Sequence, residues 1–170
     1  MNDIPRSSPF HELAKQATMQ PQEQLAELKK GEARLFIGVP KEITYQENRV
    51  PLTPSAVQLL VNNGHEVLIE AGAGINANFL DNQYSEAGAK IVYSSDEVYK
   101  AEIILKVDPP TKEEIQKLSS NQLLVSALQM ANANDSYFKM LMNKKVTAVA
   151  YEFLKDSSGA FSVIRSMSEI

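Results

Sequence analysis

Arg49 precedes the run Val50-Pro-Leu-Thr-Pro54, whose Thr-Pro pair announces a helix start. A guanidinium fork beside the free N–H groups of a helix N-terminus can hold an anion. The alternative is a surface ion pair with Glu47 or Glu42. Lys106 and Asp108 sit at the end of the mostly apolar run Ile103–Val107, and Gln129 lies just past another, Leu123–Ala127. A lysine there points into a cleft or runs along the sheet edge with its stem covering apolar surface. Gln129 can hydrogen-bond a ligand but exchanges no proton near neutral pH. Gly72-Ala-Gly-Ile-Asn-Ala77 matches the spacing of a dinucleotide-binding turn, with Asp96 downstream where a ribose-binding acid would stand. That turn needs a helix opening inside the glycines, whereas the next helix signal is Asp81, so a tight turn with positive φ is expected. His65, after Gly64, reads as a solvated turn residue, and no Ser/His/Asp constellation is present.

Composition narrows the chemistry further. The 170 residues carry 17 Lys+Arg against 21 Asp+Glu, two His and no Cys. The missing cysteine excludes a disulfide scaffold, a thiolate nucleophile and a zinc ribbon. Two histidines, His11 and His65, make a multi-histidine metal site an unsuitable reading. No basic block marks a phosphate-backbone footprint, so nucleic acid is not an expected partner. No run reaches the roughly 18 consecutive apolar residues of a membrane helix, and no secretory signal opens the chain, which points to the cytoplasm.

These residues need a frame. Residues 1–33, punctuated by Pro5, Pro9 and Pro21, read as an N-terminal extension with one short helix at Gln22–Lys30 and no catalytic role. From Arg34 onward, apolar runs predict strands at Leu35–Val39, Val67–Ile69, Lys90–Tyr93, Ile103–Val107, Leu123–Ala127 and Val146–Tyr151. Helices start at Thr53-Pro54, ending by Gly64; at Asp81 as cap, ending near Gly88; at Thr111 with Glu114 in a capping box; and at Asn134 or Asp135. Asp156-Ser-Ser-Gly159 predicts a turn into a last extended piece, Phe161–Ile164. The alternation predicts a doubly wound, mostly parallel α/β sheet, whose ligands bind at strand carboxyl ends near a switch in strand order. Ser166 or Ser168 opens one more helix, with little chain to follow, so the domain reads as truncated.

Several segments in order carry a resemblance: Ile37-Gly-Val-Pro-Lys-Glu42, Glu47-Asn-Arg-Val50 with Leu52-Thr-Pro54, Gly64-His-Glu-Val67 and Glu70-Ala-Gly-Ala-Gly74. Tyr84 with Ala87-Gly-Ala89, Ile104-Leu-Lys-Val107 and Met167-Ser-Glu-Ile170 complete it. From about Arg34 to the last residue the chain resembles the N-terminal part of the alanine dehydrogenase and nicotinamide nucleotide transhydrogenase alpha-subunit family. The resemblance implies a substrate domain (residues 34–165) of Rossmann-like or flavodoxin-like topology. Residues 166–170 would begin a helix linking it to a separate NAD-binding domain. It further implies an enzyme that interconverts L-alanine, NAD and water with pyruvate, ammonium and NADH, a homo-oligomer at full length, and a small carboxylate substrate.

Within the resemblance, Arg49 matches the arginine that grips the substrate carboxylate, and Ser168 matches a cofactor contact. Lys106 matches the first lysine of a strand-end Lys-Val-Lys-Glu-Pro motif. Asp108 stands where the second, substrate-binding lysine is found, and Gln129 where the proton-transferring histidine is found. An aspartate there repels a carboxylate, and loss of an acid/base group costs about 10²–10⁴-fold in rate. The transhydrogenase branch lacks that lysine–histidine pair too, but carries an Arg-x-Gln-Ser-x-Asp loop that Ser157-Ser-Gly-Ala-Phe-Ser162 does not match. Tyr151-Glu152, Gly159-Ala160 and Met167-Ser-Glu follow alanine dehydrogenase. The expectation is an alanine dehydrogenase-like oxidoreductase domain with an altered pocket, inactive by itself. The alternatives are a transhydrogenase alpha subunit working with a membrane partner and a non-catalytic ligand sensor.

Overall fold

The computed structural model describes residues 34–129 and 135–164. The proposed N-terminal extension, Asn134 and the helix opening at Ser166 or Ser168 lie outside the described residues. Six parallel strands form one sheet: β1 (Phe36–Val39), β2 (Glu66–Glu70), β3 (Lys90–Val92), β4 (Ile103–Leu105), β5 (Leu123–Ser126) and β6 (Thr147–Ala150). Their order is β3-β2-β1-β4-β5-β6, the Rossmann order, with its reversal between β1 and β4. All six fall within a residue or two of the predicted runs. Parallel strands with both faces covered favour near-continuous apolar sequence, and β1, β2 and β4 read that way.

The helices follow their start signals. Thr53 caps α1 (Pro54–Asn62), its hydroxyl accepting from the Ala56 N–H at 3.3 Å, and Gly64 leaves the helix at φ +89°. Val57 buries α1 against β1 and β2. Thr111 and Glu114 form the capping box of α4 (Lys112–Lys117), with Ile115 and Leu118 buried beneath it. Helix α5 (Asp135–Lys144) seats Leu141 in the second core cluster and leaves Met142 in solvent.

Two expectations are corrected. Asp81 is the first residue of α2 (Asp81–Glu86), not its cap; Leu80 holds that place, and the Asp81 carboxylate instead accepts from the Gly72 N–H at 2.8 Å. Phe161–Ile164 is not an extended piece. Phe161 makes one antiparallel bridge to Lys155, closing the Asp156–Gly159 turn, and the chain is helical from Ser162.

Two glycines are dictated by the fold. At Gly38 in β1, a Cβ would lie 2.6 Å from the Val98 carbonyl oxygen at the end of the short helix α3 (Ser95–Val98). Gly72 adopts φ +76° in the turn after β2. That turn leads into three residues of 3-10 helix, Ile75–Ala77, and α2 begins only at Asp81. No α-helix opens within the glycines, so the turn does not aim an α-helix N-terminus at a pyrophosphate. Asp96 is an exposed member of α3 paired with Lys117 at 3.0 Å. The tight-turn reading therefore stands.

Candidate functional site

The strand order reverses between β1 and β4, the place where sheets of this kind form a ligand crevice, and the loop after β1 crosses to the β4 exit there. The β1 loop brings Arg49 there. Its guanidinium clasps the Glu47 carboxylate with two donors, Nε to Oε1 at 2.8 Å and Nη2 to Oε2 at 2.5 Å. The Arg49 backbone N–H adds a third bond to the same Oε1. Of the two readings of Arg49, the ion pair with Glu47 is the one observed, and it stands where the strand order reverses. Its side chain is 54% exposed while that of Glu47 is 7% exposed. The arginine side chain is half-exposed, and the carboxylate is the buried member.

Asp108, two residues past β4, is partly buried and close enough to act on both. The hydrogen bond from Arg49 holds the Glu47 carboxyl below its usual range against the opposing effect of burial, with Asp108 beside it. Glu47 in turn keeps the guanidinium firmly protonated. Tyr151, at the exit of β6, donates its hydroxyl to the Val107 carbonyl at 2.7 Å and is pushed to about 12, chiefly by burial. The rim therefore carries one guanidinium, two carboxylates and a phenol that stays protonated.

Lys106 lies elsewhere. Its ammonium is buried between Glu42 Oε2 at 2.8 Å and Glu114 Oε1 at 2.9 Å, with side chains 1%, 4% and 7% exposed. Glu42 also accepts from the Val107 N–H at 2.6 Å. Burial raises the Glu42 carboxyl above its usual value despite the neighbouring lysine. Tyr99, packed against this cluster, is raised by burial and by Glu114. The sequence shows Glu114 as a capping residue, and nothing in it shows that one oxygen caps α4 while the other binds Lys106.

Gln129 follows β5 with φ +45°, and its side chain is exposed. Its backbone N–H and that of Leu128 both donate to Glu152 Oε1, each at 2.9 Å. Glu152 carried no signal beyond its place beside Tyr151; 23 residues separate it from Gln129. Ser168 lies outside the described residues. Arg49, Asp108 and Tyr151 thus share one electrostatic neighbourhood, Glu152 anchors Gln129 at the next strand exit, and Lys106 is consumed beneath. Among the described residues no group of His, Cys, Asp and Glu is arranged to hold a metal ion.

A profile of the family described as alanine dehydrogenase/PNT, N-terminal domain, matches residues 38–170. Alanine dehydrogenase of Bacillus subtilis is 40% identical over 136 residues, covering 80% of this chain and 35% of that protein. Alanine dehydrogenase of Staphylococcus saprophyticus is 38% identical over 136 residues, covering 80% and 36%. Among solved structures, an L-alanine dehydrogenase superposes with a TM-score of 0.74 at 41% identity, covering 78% of this chain and 36% of that one. A transhydrogenase from Sinorhizobium meliloti gives 0.65 at 27% identity, covering 69% and 35%. The chain spans about a third of the length of the relatives it matches. It belongs to the alanine dehydrogenase/PNT family and corresponds to that family's N-terminal domain.

Proposed function

We propose that this chain is the substrate-side domain of an alanine dehydrogenase-like, NAD-linked oxidoreductase whose pocket has been altered. The reaction would interconvert L-alanine, NAD and water with pyruvate, ammonium and NADH, or a close relative of that conversion. The observation that carries this reading is the position of Arg49, with its side chain half-exposed at the switch point of a domain 40% identical to alanine dehydrogenases. A ligand carboxylate binds the guanidinium, sharing it with Glu47 or displacing it. Asp108 attracts a cationic group on the ligand and repels a second carboxylate. Gln129 orients the ligand through hydrogen bonds without moving a proton. The dinucleotide is assigned mainly to protein beyond this segment, with Ser168 contributing. The chain alone would then bind a carboxylate without transferring hydride. The working protein is a soluble homo-oligomer acting on a small carboxylate in the cytoplasm. Within the described residues, no helix is long and apolar enough to cross a membrane.

The transhydrogenase reading is favoured by one observation, the absence of both the strand-end lysine and the histidine at positions 108 and 129. A non-catalytic sensor would share that feature. The deciding experiment follows NADH oxidation by the full-length protein with pyruvate and ammonium, in wild type and in a D108K/Q129H variant. Gain of activity in the variant alone is expected, because it restores the cation and the proton-transferring group. High wild-type turnover would show Asp108 and Gln129 to be tolerated. No turnover from either would overturn the dehydrogenase reading in favour of one of the other two.

A further inference from the structure

The dipeptide after β6 fastens two neighbouring strand exits at once. Tyr151 holds the β4 exit through the Val107 carbonyl, one residue before Asp108. Glu152 holds the β5 exit, where a single carboxylate oxygen receives the N–H groups of both Leu128 and Gln129. Those two bonds accompany a backbone conformation at Gln129 (φ +45°) that a residue with a side chain seldom adopts. The second oxygen, Oε2, is shut away from solvent with no hydrogen-bond partner among the described residues. Buried acceptors are nearly always satisfied, and a purely structural clasp would need only Oε1. The leftover oxygen belongs to the same carboxyl group that binds the Gln129 backbone, so its charge lies within a few ångströms of the root of that side chain.

We propose that Glu152 is a positioning residue. It locks residue 129 in the left-handed conformation and imposes its negative charge on whatever that side chain presents to the crevice. The proposal rests on the reading above that residue 129 faces the ligand, and it deepens that reading. The ionisable group on the β5 side of the site is Glu152, acting through a residue that itself does not titrate. The other titratable groups facing Glu152 are Tyr137 of α5 and Tyr151. Burial pushes both to about 12, so they remain neutral across the range in which a carboxylate or an imidazole titrates.

The test uses this chain itself and reads protonation by NMR. In wild type, the Leu128 and Gln129 amide resonances should shift together along one titration curve, which disappears in E152Q. In Q129H, the new imidazole should titrate about one pH unit or more above the ordinary histidine value near 6.5, a tenfold gain in proton affinity. In Q129H/E152Q that rise should vanish. Equal imidazole midpoints with and without Glu152 would overturn the proposal, as would amides that do not follow a common curve. If E152Q fails to fold, Q129H decides alone: a raised midpoint supports the charge coupling, and an ordinary one refutes it. None of these readings depends on turnover, so a failed dehydrogenase assay and a failed coupling are separate results.

Discussion

Two charge clusters of equal charge count lie on either side of Val107, and they behave in opposite ways. Lys106 with Glu42 and Glu114, and Arg49 with Glu47 and Asp108, each combine one cation with two carboxylates. In the first cluster every side chain is buried, and desolvation outweighs attraction, so Glu42 is pushed upward. In the second the arginine side chain is half-exposed, and its hydrogen bond to Glu47 outweighs burial, so Glu47 is pulled downward. Charge count alone therefore does not set which way a carboxylate shifts. The balance of burial against the cation's hydrogen bonds does, because desolvation penalises the charged form and a hydrogen-bonded cation favours it.

The sharpest way to break this comparison is to remove each cation. K106M strands two buried carboxylates and should cost about 3–5 kcal/mol of stability, read as a lower urea midpoint. R49M leaves one buried carboxylate unpaired beside solvent and should cost about 1–3 kcal/mol, less than K106M. Similar losses from both would erase the distinction between the clusters. A smaller effect concerns ligand access. E47Q weakens the internal competitor for Arg49, so pyruvate should bind about tenfold more tightly, roughly 1.4 kcal/mol by calorimetry. E42Q should leave that affinity where it is. An unchanged affinity in E47Q would mean that Glu47 and a ligand do not share the guanidinium.

The smallest effect is one of sign. Glu42 binds its proton more tightly when folded, so its contribution to stability is lost as pH rises from the ordinary glutamate value through the folded one. Glu47 binds its proton less tightly when folded, so its contribution is present above that ordinary value and lost as pH falls through the folded one. Denaturant midpoints from about pH 3 to about pH 7 should show wild type losing ground to E42Q as pH rises. Over the same range, wild type should lose its advantage over E47Q as pH falls. Parallel curves for the two variants would contradict the assignment of opposite shifts.

Much of this frame was readable beforehand, for local reasons. Continuous apolar runs marked β1, β2 and β4 because a parallel strand covered on both faces has no polar side to reveal. Thr53-Pro54 and Thr111 with Glu114 marked helix starts because a cap needs only residues three apart. Asp81 misled because an acidic residue suits both the cap and the first turn. Its actual partner, Gly72, lies nine residues away across a turn. Phe161–Ile164 misled because one bridging residue followed by a helical turn has the same apolar pattern as a short strand.

By itself the sequence determined the alternation of strands and helices, their approximate limits and the presence of Arg49 after the first strand. Each of these rests on residues within a few positions of one another. The tertiary structure alone decided what the charged side chains do. Lys106 meets Glu42 across 64 positions, and Gln129 meets Glu152 across 23. Such pairs form only when strand exits are brought side by side, and burial then determines which carboxylate rises and which falls.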